Sequence, residues 1–258
     1  MKIDQKKVAE IVRSARELFE NHEKARHIKA KGDKDFVTEV DTAVQKYMKE
    51  RLSGLYPDIQ MMGEEKDNAD VDVSGDFWVI DPVDGTTNLI HDFRFSALSL
   101  GYVEAGEAVF GAVYQPYTDE LFIAERGKGA FLNGRQIHVS SAEKLRDSLV
   151  LFGTDPYVRG ELSRRDFEGI IRVFEECVDI RRTGSAALDL CYVAAGRCDA
   201  FFERSLNPWD YAAGTVLVRE AGGTVVDFEG RDVDVRFKGG AVATNGKLTK
   251  ELLGYLQI

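Results

Sequence analysis

Two carboxylates, Asp81 and Asp84, directly follow an apolar run and precede a glycine and two threonines. A pair of acids can bind a hard cation such as Mg²⁺ or Ca²⁺ through its oxygens. Backbone N–H groups at the start of a helix bind phosphate, and Gly85 lets the chain turn sharply into such a helix. One short turn could therefore hold both a metal ion and the anion that this ion neutralises.

The residues on either side of this turn predict a strand before it and a helix after it. Residues 77–80, Phe-Trp-Val-Ile, carry no polar side chain, which is typical of a strand buried on both faces. Pro82 cannot donate to a sheet ladder, so the strand is predicted to end at about Asp81. Thr86 or Thr87 can cap the helix that follows. The spacing fits neither an EF-hand loop nor a P-loop, although Asp-Gly by itself is also a hairpin signal.

Further acids stand at other predicted element ends. Glu64 and Glu65 follow a short apolar run, although adjacent glutamates are most often a solvated pair. Asp41 opens a helix with an apolar stripe, where it could serve as the N-cap. Asp210 lies in the first turn of a helix that Asn207 is predicted to cap, and an acid there is stabilised by the helix dipole. Each acid has a structural explanation, but together they indicate a metal site.

The order and spacing of these blocks resemble the inositol monophosphatase family, and the likeness covers essentially the whole chain. The matching segments are 34–41 (KDFVTEVD), 63–65 (GEE), 81–88 (DPVDGTTN) and 208–210 (PWD), with 184–187 (GSAA) and 220–223 (EAGG) fitting as well. The resemblance implies a Mg²⁺-dependent, lithium-sensitive phosphomonoesterase. It also implies an α/β fold, the layered αβαβα sandwich of the inositol monophosphatase and fructose 1,6-bisphosphatase type.

The resemblance also implies which residues bind metal. Glu64, Asp81 and the backbone carbonyl of Val83 correspond to ligands of a first Mg²⁺. Asp81, Asp84 and Asp210 correspond to ligands of a second, with Asp81 bridging the two ions. A weaker third ion would rest on the Glu64 carboxylate and waters. The site is therefore expected to take two to three Mg²⁺ ions.

Catalytic and substrate-binding roles follow from the same likeness. Thr86 and Asp41 correspond to the pair that orients and helps deprotonate the nucleophilic water, and Glu65 stands near the third metal. The amides of Gly85 and Thr86 would hold the phosphate. Asp84 is also expected to contact the substrate, and the positions expected to face its alcohol part are Gly184, Ser185, Ala186, Glu203 and Asp210. No covalent phospho-enzyme is implied.

Electrostatics explains why these residue types belong together. Two like charges 4 Å apart repel by about 4 kcal/mol at an effective dielectric constant of 20, so carboxylates around a phosphate dianion require cations between them. Mg²⁺ prefers oxygen ligands and is commonly shared with substrate phosphate, and two metals can serve both the attacking and the leaving oxygen. The four histidines lack metal-ligand spacing, which argues against zinc or iron.

The substrate stays open at this point. Residues 154–165 lie where family members differ most, and Arg164 and Arg165 could be a solvated pair or could meet a second phosphate. The segment 84–88 is closer to the inositol phosphatase branch than to nucleotide bisphosphate phosphatases, which argues against 3′-phosphoadenosine 5′-phosphate. A fructose 1,6-bisphosphatase or a dual enzyme is the enzymatic alternative. A regulatory, protein-binding relative is the alternative from another class, and the presence of every expected acid counts against it.

Composition limits the partners and the compartment. The chain has 258 residues and a net charge of −10, so no nucleic-acid partner is expected. No apolar run approaches the length of a membrane span, and the N-terminus lacks a signal-peptide pattern. Three widely spaced cysteines are expected to be core thiols of a cytoplasmic protein. A homodimer is expected from the family resemblance alone.

The pattern of elements changes near residue 145. Residues 1–145 are predicted to form an α+β half that carries most metal ligands, with a mobile loop over residues 29–35. Residues 146–258 alternate strands and helices, which predicts an α/β half carrying Asp210 and the substrate pocket. Acids from both halves are then expected to converge where the halves meet.

Overall fold

The computed structural model describes residues 3–20, 27–32, 35–155 and 160–257. Its helices and sheets alternate in layers, and this confirms the predicted αβαβα sandwich. Lys34 of the first motif, and Pro156 and Tyr157 of the variable segment, lie outside the described residues.

The amino-terminal part supplies the first sheet and the helices around it. Its helices are α1 (Gln5–Ser14), α2 (Arg16–Phe19), α3 (Glu39–Leu55) and α4 (Thr86–Ile90). Its strands are β1 (Ile28–Gly32), β2 (Asp35–Thr38), β3 (Gln60–Gly63), β4 (Phe77–Asp84), β5 (Ala97–Glu104), β6 (Glu107–Gln115), β7 (Glu120–Glu125), β8 (Ala130–Leu132) and β9 (Arg135–Ile137).

The carboxyl-terminal part supplies the second sheet and four more helices. The helices are α5 (Glu161–Glu176), α6 (Ala186–Ala194), α7 (Pro208–Glu220) and α8 (Thr249–Leu256). The strands are β10 (Leu149–Phe152), β11 (Asp179–Arg181), β12 (Ala200–Leu206), β13 (Thr224–Val226) and β14 (Gly239–Thr244).

Two large β-sheets form the centre of the fold. The larger has seven strands in chain order from β3 to β9, and it is antiparallel except for the parallel pair β3–β4. The smaller has five strands in the order β11-β10-β12-β14-β13, with β10 parallel to both of its neighbours. A separate antiparallel hairpin joins β1 and β2, so the predicted loop over residues 29–35 is wrong where the structure describes it.

Helices fill three layers around the sheets. On the outer face of the seven-stranded sheet, α1 and α3 bury apolar side chains such as Val12 and Met48 in one core with Trp78 of β4. Between the sheets, α6 and α7 form the middle core, and α5 and α8 cover the far face of the five-stranded sheet. All three cysteines are free, with Cys191 and Cys198 buried as predicted. None of the helices in the described ranges combines the length and apolar character that crossing a bilayer requires.

Strand β4 continues past its predicted end. It runs to Asp84 because its pairing with β5 shifts register between Asp81 and Asp84, which places Pro82 in a β-bulge. A bulge leaves one residue unpaired, so the missing N–H of proline costs no ladder hydrogen bond there. The predicted strand end at Asp81 is therefore wrong. The bulge sets the direction of the Asp84 side chain relative to that of Asp81.

Glycines let α7 approach the larger sheet closely. A Cβ added to Gly111 in β6 would lie 2.3 Å from the carbonyl oxygen of Ala213, and one added to Gly101 in β5 would lie 3.3 Å from the Cβ of Ala212. This contact seats the helix that carries Asp210. The chain passes from one sheet to the other between Ile137 and Leu149, whereas α6 and α7 touch both sheets. The division into residues 1–145 and 146–258 stays a prediction.

We predict that Gly111→Ala lowers the free energy of unfolding by about 1–3 kcal/mol, since the added methyl group overpacks the sheet against backbone that cannot move aside. Chemical denaturation measures the change. The control is Gly54→Ala in α3, where an added Cβ meets nothing within 4 Å. That change should raise the free energy of unfolding by up to about 1 kcal/mol. Equal effects of the two substitutions would contradict the close packing of α7.

Candidate active site

Four carboxylates from three places in the fold line one cavity of about 350 Å³, and they are Glu64, Asp81, Asp84 and Asp210. Glu64 follows β3, which runs parallel to β4, and its backbone N–H donates to the Ile80 carbonyl at 3.2 Å. The parallel pairing therefore sets Glu64 beside Asp81. Asp210 lies at the start of α7, so acids from before and after residue 145 line the same cavity.

The bulge at Pro82 turns the two acids of β4 in different directions. The Val83 N–H donates to Asp81 Oδ1 at 2.9 Å, a local bond that holds the first carboxylate against its own strand. Asp84 Oδ2 instead accepts the Ser185 hydroxyl and, at 2.8 Å, the Ala187 N–H. Asp84 thus binds the first turn of α6 in the opposite half of the molecule.

Burial and mutual repulsion raise the pKa values of these acids. Burial raises the pKa of Asp81 well above its ordinary value, and repulsion by Glu64 and Asp84 raises it further. The pKa of Asp210 rises for the same reasons. Burial raises the pKa of Asp84 to about 6, although its hydrogen bonds from α6 oppose the shift. A cation bound among these carboxyl groups would favour their ionised forms.

Asp210 is held by the helix start that the sequence predicts. Asn207 is the N-cap and Pro208 the first residue of α7, and the Asn207 N–H donates to Asp210 Oδ2 at 2.6 Å. One oxygen of the carboxylate is therefore occupied by the capping box. The other oxygen remains for the cavity that the residue lines.

Thr86 and Asp41 form a hydrogen-bonded pair at the same end of the cavity. The Thr86 hydroxyl donates to Asp41 Oδ1 at 2.9 Å and lies 3.1 Å from the Val83 carbonyl oxygen. Asp41 is fully buried in the first turn of α3, where its other oxygen accepts from Thr38 in a capping box. Burial raises the pKa of Asp41, and the hydrogen bonds from Thr38 and Thr86 partly offset that rise.

The predicted caps differ in detail. Thr38, not Asp41, is the N-cap of α3, and Asp41 is the third helical residue. Gly85, with φ of 90°, is the N-cap of α4, so the prediction that Thr86 or Thr87 caps this helix is wrong. Gly85 takes the left-handed conformation that the turn requires, which frees the Thr86 hydroxyl for Asp41.

The two turns that form the cavity floor are in close contact. A Cβ on Gly85 would lie 3.1 Å from the Gly184 carbonyl oxygen, so the two backbones meet directly. Asn88 Nδ2 donates to the Thr183 carbonyl at 2.9 Å and to the Phe95 carbonyl at 2.7 Å. The Asn88 amide therefore ties the phosphate turn predicted in one half to the pocket wall of the other.

Gly184, Ser185, Ala186 and Glu203 line the wall predicted for the alcohol. Glu203 lies against Gly153, where an added Cβ would come within 1.8 Å of Oε2. Burial raises the pKa of Glu203 to about 8, and repulsion by Asp189 and Asp84 contributes. The raised pKa favours the protonated form of the Glu203 carboxyl, which can donate a hydrogen bond to a hydroxyl group.

Most predicted site residues line the cavity, but two do not. Asp41 lies behind Thr86, and Glu65 is absent from the lining, with its N–H donating to Gln45 Oε1 at 3.0 Å. The lining also includes residues that sequence reasoning assigned no role: Asn88, Gly153, Arg182, Asp189 and Lys238. Asn88 is the last residue of the 81–88 motif, and Arg182 lies two residues before the 184–187 motif. These positions could have indicated that both residues line the cavity. Nothing in the sequence around Lys238 indicates its location.

The donor set fits Mg²⁺. Across the residues that the structure describes, no three His, Cys, Asp or Glu side chains are arranged so that they could hold a metal ion together as they stand. Mg²⁺ keeps several waters and typically takes one or two carboxylates plus phosphate oxygens, so it does not need a closed protein cage. The four acids around the cavity supply oxygen donors alone, and the raised pKa values of Asp81, Asp84 and Asp210 indicate that a cation would stabilise their ionised forms.

The family model described as "Inositol monophosphatase family" matches residues 2–258. The Nus factor SuhB of Escherichia coli K12 is 41% identical over 255 residues, covering 95% of this chain and 94% of that protein. The inositol-1-monophosphatase of Rhizobium meliloti is 40% identical over 230 residues, covering 89% of this chain and 86% of that protein. Among solved structures, the extragenic suppressor protein suhB from Bartonella henselae is 34% identical with a TM-score of 0.90, covering 98% of each chain. An IMPase of Thermotoga maritima is 34% identical with a TM-score of 0.87, covering 98% of this chain and 97% of its own.

We predict that Mg²⁺ raises the thermal midpoint of unfolding. At a concentration 100 times its Kd, one bound ion adds about 2.7 kcal/mol, or about 5–10 °C for a chain of this size. Asp81→Asn should remove most of this shift without lowering the midpoint in EDTA, because burial already opposes the charged form of Asp81. Differential scanning calorimetry gives the midpoints, and Asp232→Asn, at an exposed carboxylate, should leave the shift intact. A full Mg²⁺ shift in the Asp81 variant would remove Asp81 from the metal site.

Proposed function

The chain belongs to the inositol monophosphatase family, and we propose from this that it is a Mg²⁺-dependent phosphoric monoester hydrolase. Its proposed substrates are inositol monophosphate and related sugar or polyol phosphates. The observation that carries the proposal is that Glu64, Asp81, Asp84 and Asp210 line one cavity with the Asp41–Thr86 pair at the same end. A phosphatase that uses a metal-activated water needs this combination of acids and a hydroxyl.

Glu64, Asp81 and the Val83 carbonyl are the proposed ligands of one Mg²⁺, and Asp81, Asp84 and Asp210 those of another. When bound, Mg²⁺ supplies positive charge that offsets repulsion between the acids and the phosphate dianion and favours deprotonation of a nearby water. The Thr86 hydroxyl has one proton, which it donates to Asp41, so the Val83 carbonyl 3.1 Å away keeps its lone pairs and can serve as a ligand. The proposed number of two to three ions, and the place of Glu65 near the third, come from the family.

Thr86 and Asp41 are proposed to handle the proton of the attacking water. The Thr86 hydroxyl donates its own proton to Asp41, so its oxygen is left as an acceptor for a water in the cavity. Burial raises the proton affinity of Asp41, which makes it the better final acceptor. The pair therefore orients a water for attack on phosphorus, and no covalent intermediate with the protein is proposed.

The substrate would lie between the two turns of the cavity floor. The amides of Gly85 and Thr86 are proposed to hold the phosphate oxygens. The hydroxyl groups of the polyol would meet Glu203 and the segment Gly184–Ala186, which line the opposite wall together with Asp84 and Asp210. Because burial favours the protonated form of Glu203, its carboxyl group can donate a hydrogen bond to a polyol hydroxyl.

Two alternatives remain beside this proposal. A fructose 1,6-bisphosphatase or dual enzyme would use the same acids. A regulatory role is the alternative from another class, and it has support in that relatives about 41% identical carry the name Nus factor SuhB, which states no phosphatase activity. The absence of a nucleic-acid partner and the cytoplasmic location stay predictions.

A homodimer is also proposed. Helix α5 exposes an apolar stripe of Phe167, Ile171 and Phe174, with Val178 just beyond the helix, and each of the four side chains is at least half exposed. Residues spaced by three and four share one helix face. An uncovered face of this kind suits pairing with an identical surface across a two-fold axis.

We predict Mg²⁺-dependent release of phosphate from a panel of monoesters and bisphosphates. EDTA should abolish it, and Li⁺ and excess Mg²⁺ should inhibit it, as the family resemblance implies. Asp84→Asn should lower kcat/KM by at least about 100-fold, because even outer-shell partners of a metal typically account for 10–100-fold. Asparagine can still accept from the Ala187 N–H, so the fold should persist, and Asp58→Asn on the surface serves as the control. Full activity in EDTA, or in the Asp84 variant, would refute the metal mechanism.

We predict that Ile171→Glu combined with Phe174→Glu converts the dimer into a monomer. Two buried charges at the centre of an apolar contact have no partners and are strongly unfavourable. Light scattering after size-exclusion chromatography gives the mass, and Glu168→Lys on the adjacent polar face should leave the dimer unchanged. A wild-type monomer, or a double variant that remains dimeric, would show that this stripe is not the interface.

A further inference from the structure

Asp189 is a buried acid that the proposed mechanism does not use. It lies in the first turn of α6, is 1% exposed and lines the cavity. Burial raises its pKa well above the ordinary value, and repulsion by Asp84 adds to the rise. A strongly perturbed acid in a cleft is a candidate for a functional role, so its contacts decide what it can do.

From these contacts, we propose that Asp189 is a positioning residue of the phosphatase reaction. Through the hydrogen bond from the Thr183 hydroxyl, it holds residues 183–187 in the conformation in which they bind and orient Asp84. Neither Asp189 nor Thr183 is assigned a contact with Mg²⁺ or with the attacking water. The inference rests on the proposed function, because Asp84 is a proposed ligand of Mg²⁺.

Thr183 is the centre of this arrangement. Its hydroxyl donates to Asp189 Oδ1 at 2.6 Å, and the same oxygen accepts the Ser185 N–H at 3.3 Å. A hydroxyl group has one proton, so donation to Asp189 leaves the lone pairs of the oxygen for Ser185. The Thr183 carbonyl also accepts from Asn88 Nδ2 at 2.9 Å. These hydrogen bonds fix Thr183 at the start of the turn that leads into α6.

The turn that follows Thr183 carries the contacts of Asp84. Ser185 is the N-cap of α6, and its hydroxyl donates to Asp84 Oδ2. The Ala187 N–H donates to the same oxygen at 2.8 Å. Hydrogen bonds weaken steeply as their angles degrade, so a small rotation of the turn would weaken both. A continuous hydrogen-bonded path therefore connects Asp189 with Asp84.

The same kind of pair occurs at the other glycine turn of the cavity. There the Thr86 hydroxyl donates to Asp41, which is likewise buried in the first turn of a helix. In both pairs the threonine is next to a glycine with positive φ, Gly85 at 90° and Gly184 at 85°. The pairs differ because Thr86 lines the cavity and Thr183 does not. The Thr183 hydroxyl is therefore placed to act on the turn and not on the substrate.

The test separates the position of the turn from the stability of the fold. The double variant Thr183→Val, Asp189→Leu replaces both partners by apolar side chains of similar shape, which leaves no buried acid unpaired and is nearly neutral for stability. It should raise the Mg²⁺ concentration for half-maximal phosphate release from inositol 1-phosphate by about tenfold to a hundredfold, as is typical when an outer-shell partner of a metal ligand is lost. Thr183→Ser should stay within about threefold of wild type, because it keeps the hydroxyl and its hydrogen bonds.

Two further variants are matched controls. Asp189→Asn removes the charge but keeps an oxygen that accepts from Thr183, so the half-maximal Mg²⁺ concentration should stay within about fivefold of wild type. Thr215→Val makes the same isosteric change at a buried hydroxyl that has no hydrogen-bond partner among the described residues. Its half-maximal Mg²⁺ concentration should equal that of wild type.

The outcomes separate the inference from the proposed function. Wild-type Mg²⁺ dependence in the double variant, or an equal loss in Asp189→Asn, would overturn the inference and leave the phosphatase function standing. If wild type hydrolyses no ester, the proposed function fails, and the Mg²⁺ concentration that gives half of the calorimetric midpoint shift then decides. An increase of about tenfold or more in the double variant would support the inference. Equal concentrations, or no Mg²⁺ shift in an inactive wild type, would overturn it.

Folding of the variants is checked by circular dichroism and by the thermal midpoint in EDTA. If the double variant does not fold, Thr183→Val alone takes its place in the same two measurements. That variant keeps the charge of Asp189 and removes the hydroxyl, so it tests the same hydrogen-bonded path.

Discussion

Repulsion between buried carboxylates is the interaction on which the rest of the structure depends. Asp81, Asp84 and Asp210 are held in one cavity although burial raises the pKa of each, and repulsion by neighbouring acids raises the pKa values of Asp81 and Asp210 further. Such an arrangement persists only when other contacts hold each acid in place. A bulge, a helix cap and hydrogen bonds from α6 provide those contacts. The protein thus stabilises an arrangement of acids that favours a cation.

The same contacts join the two sheets. Asp84 and Asn88 reach from the first half to the backbone and side chains around Gly184. Glycines in β5 and β6 let α7 lie directly on the larger sheet, which brings Asp210 to acids that come from that sheet. The fold around the middle helices and the geometry of the candidate site are therefore consequences of one packing arrangement.

The sequence predicts what local chemistry determines. The buried strand before Asp81 and the capped helix at Asn207 were both predictable, because apolar runs and capping residues act over a few positions. The bulge at Pro82 was not predictable, since it depends on the register with β5. The contact between Gly153 and Glu203 was not predictable either. It joins the residue after β10 to a residue of β12, and no local sequence pattern connects the two. The family resemblance predicted most of the site residues. It did not predict that Gly153 and Lys238 line the cavity, which only the three-dimensional structure reveals.

The hydrogen bonds from α6 to Asp84 also determine when the site can form. Asp84 is synthesised long before Ser185 and Ala187, and Asp210 follows later still. Domains emerge from the ribosome amino-terminal part first, at about 5–20 residues per second. Asp84 would therefore lack its hydrogen bonds until α6 has left the exit tunnel. A nascent chain that stops before α7 would carry three of the four acids and lack Asp210, so the full set of proposed ligands is complete only once α7 has been synthesised.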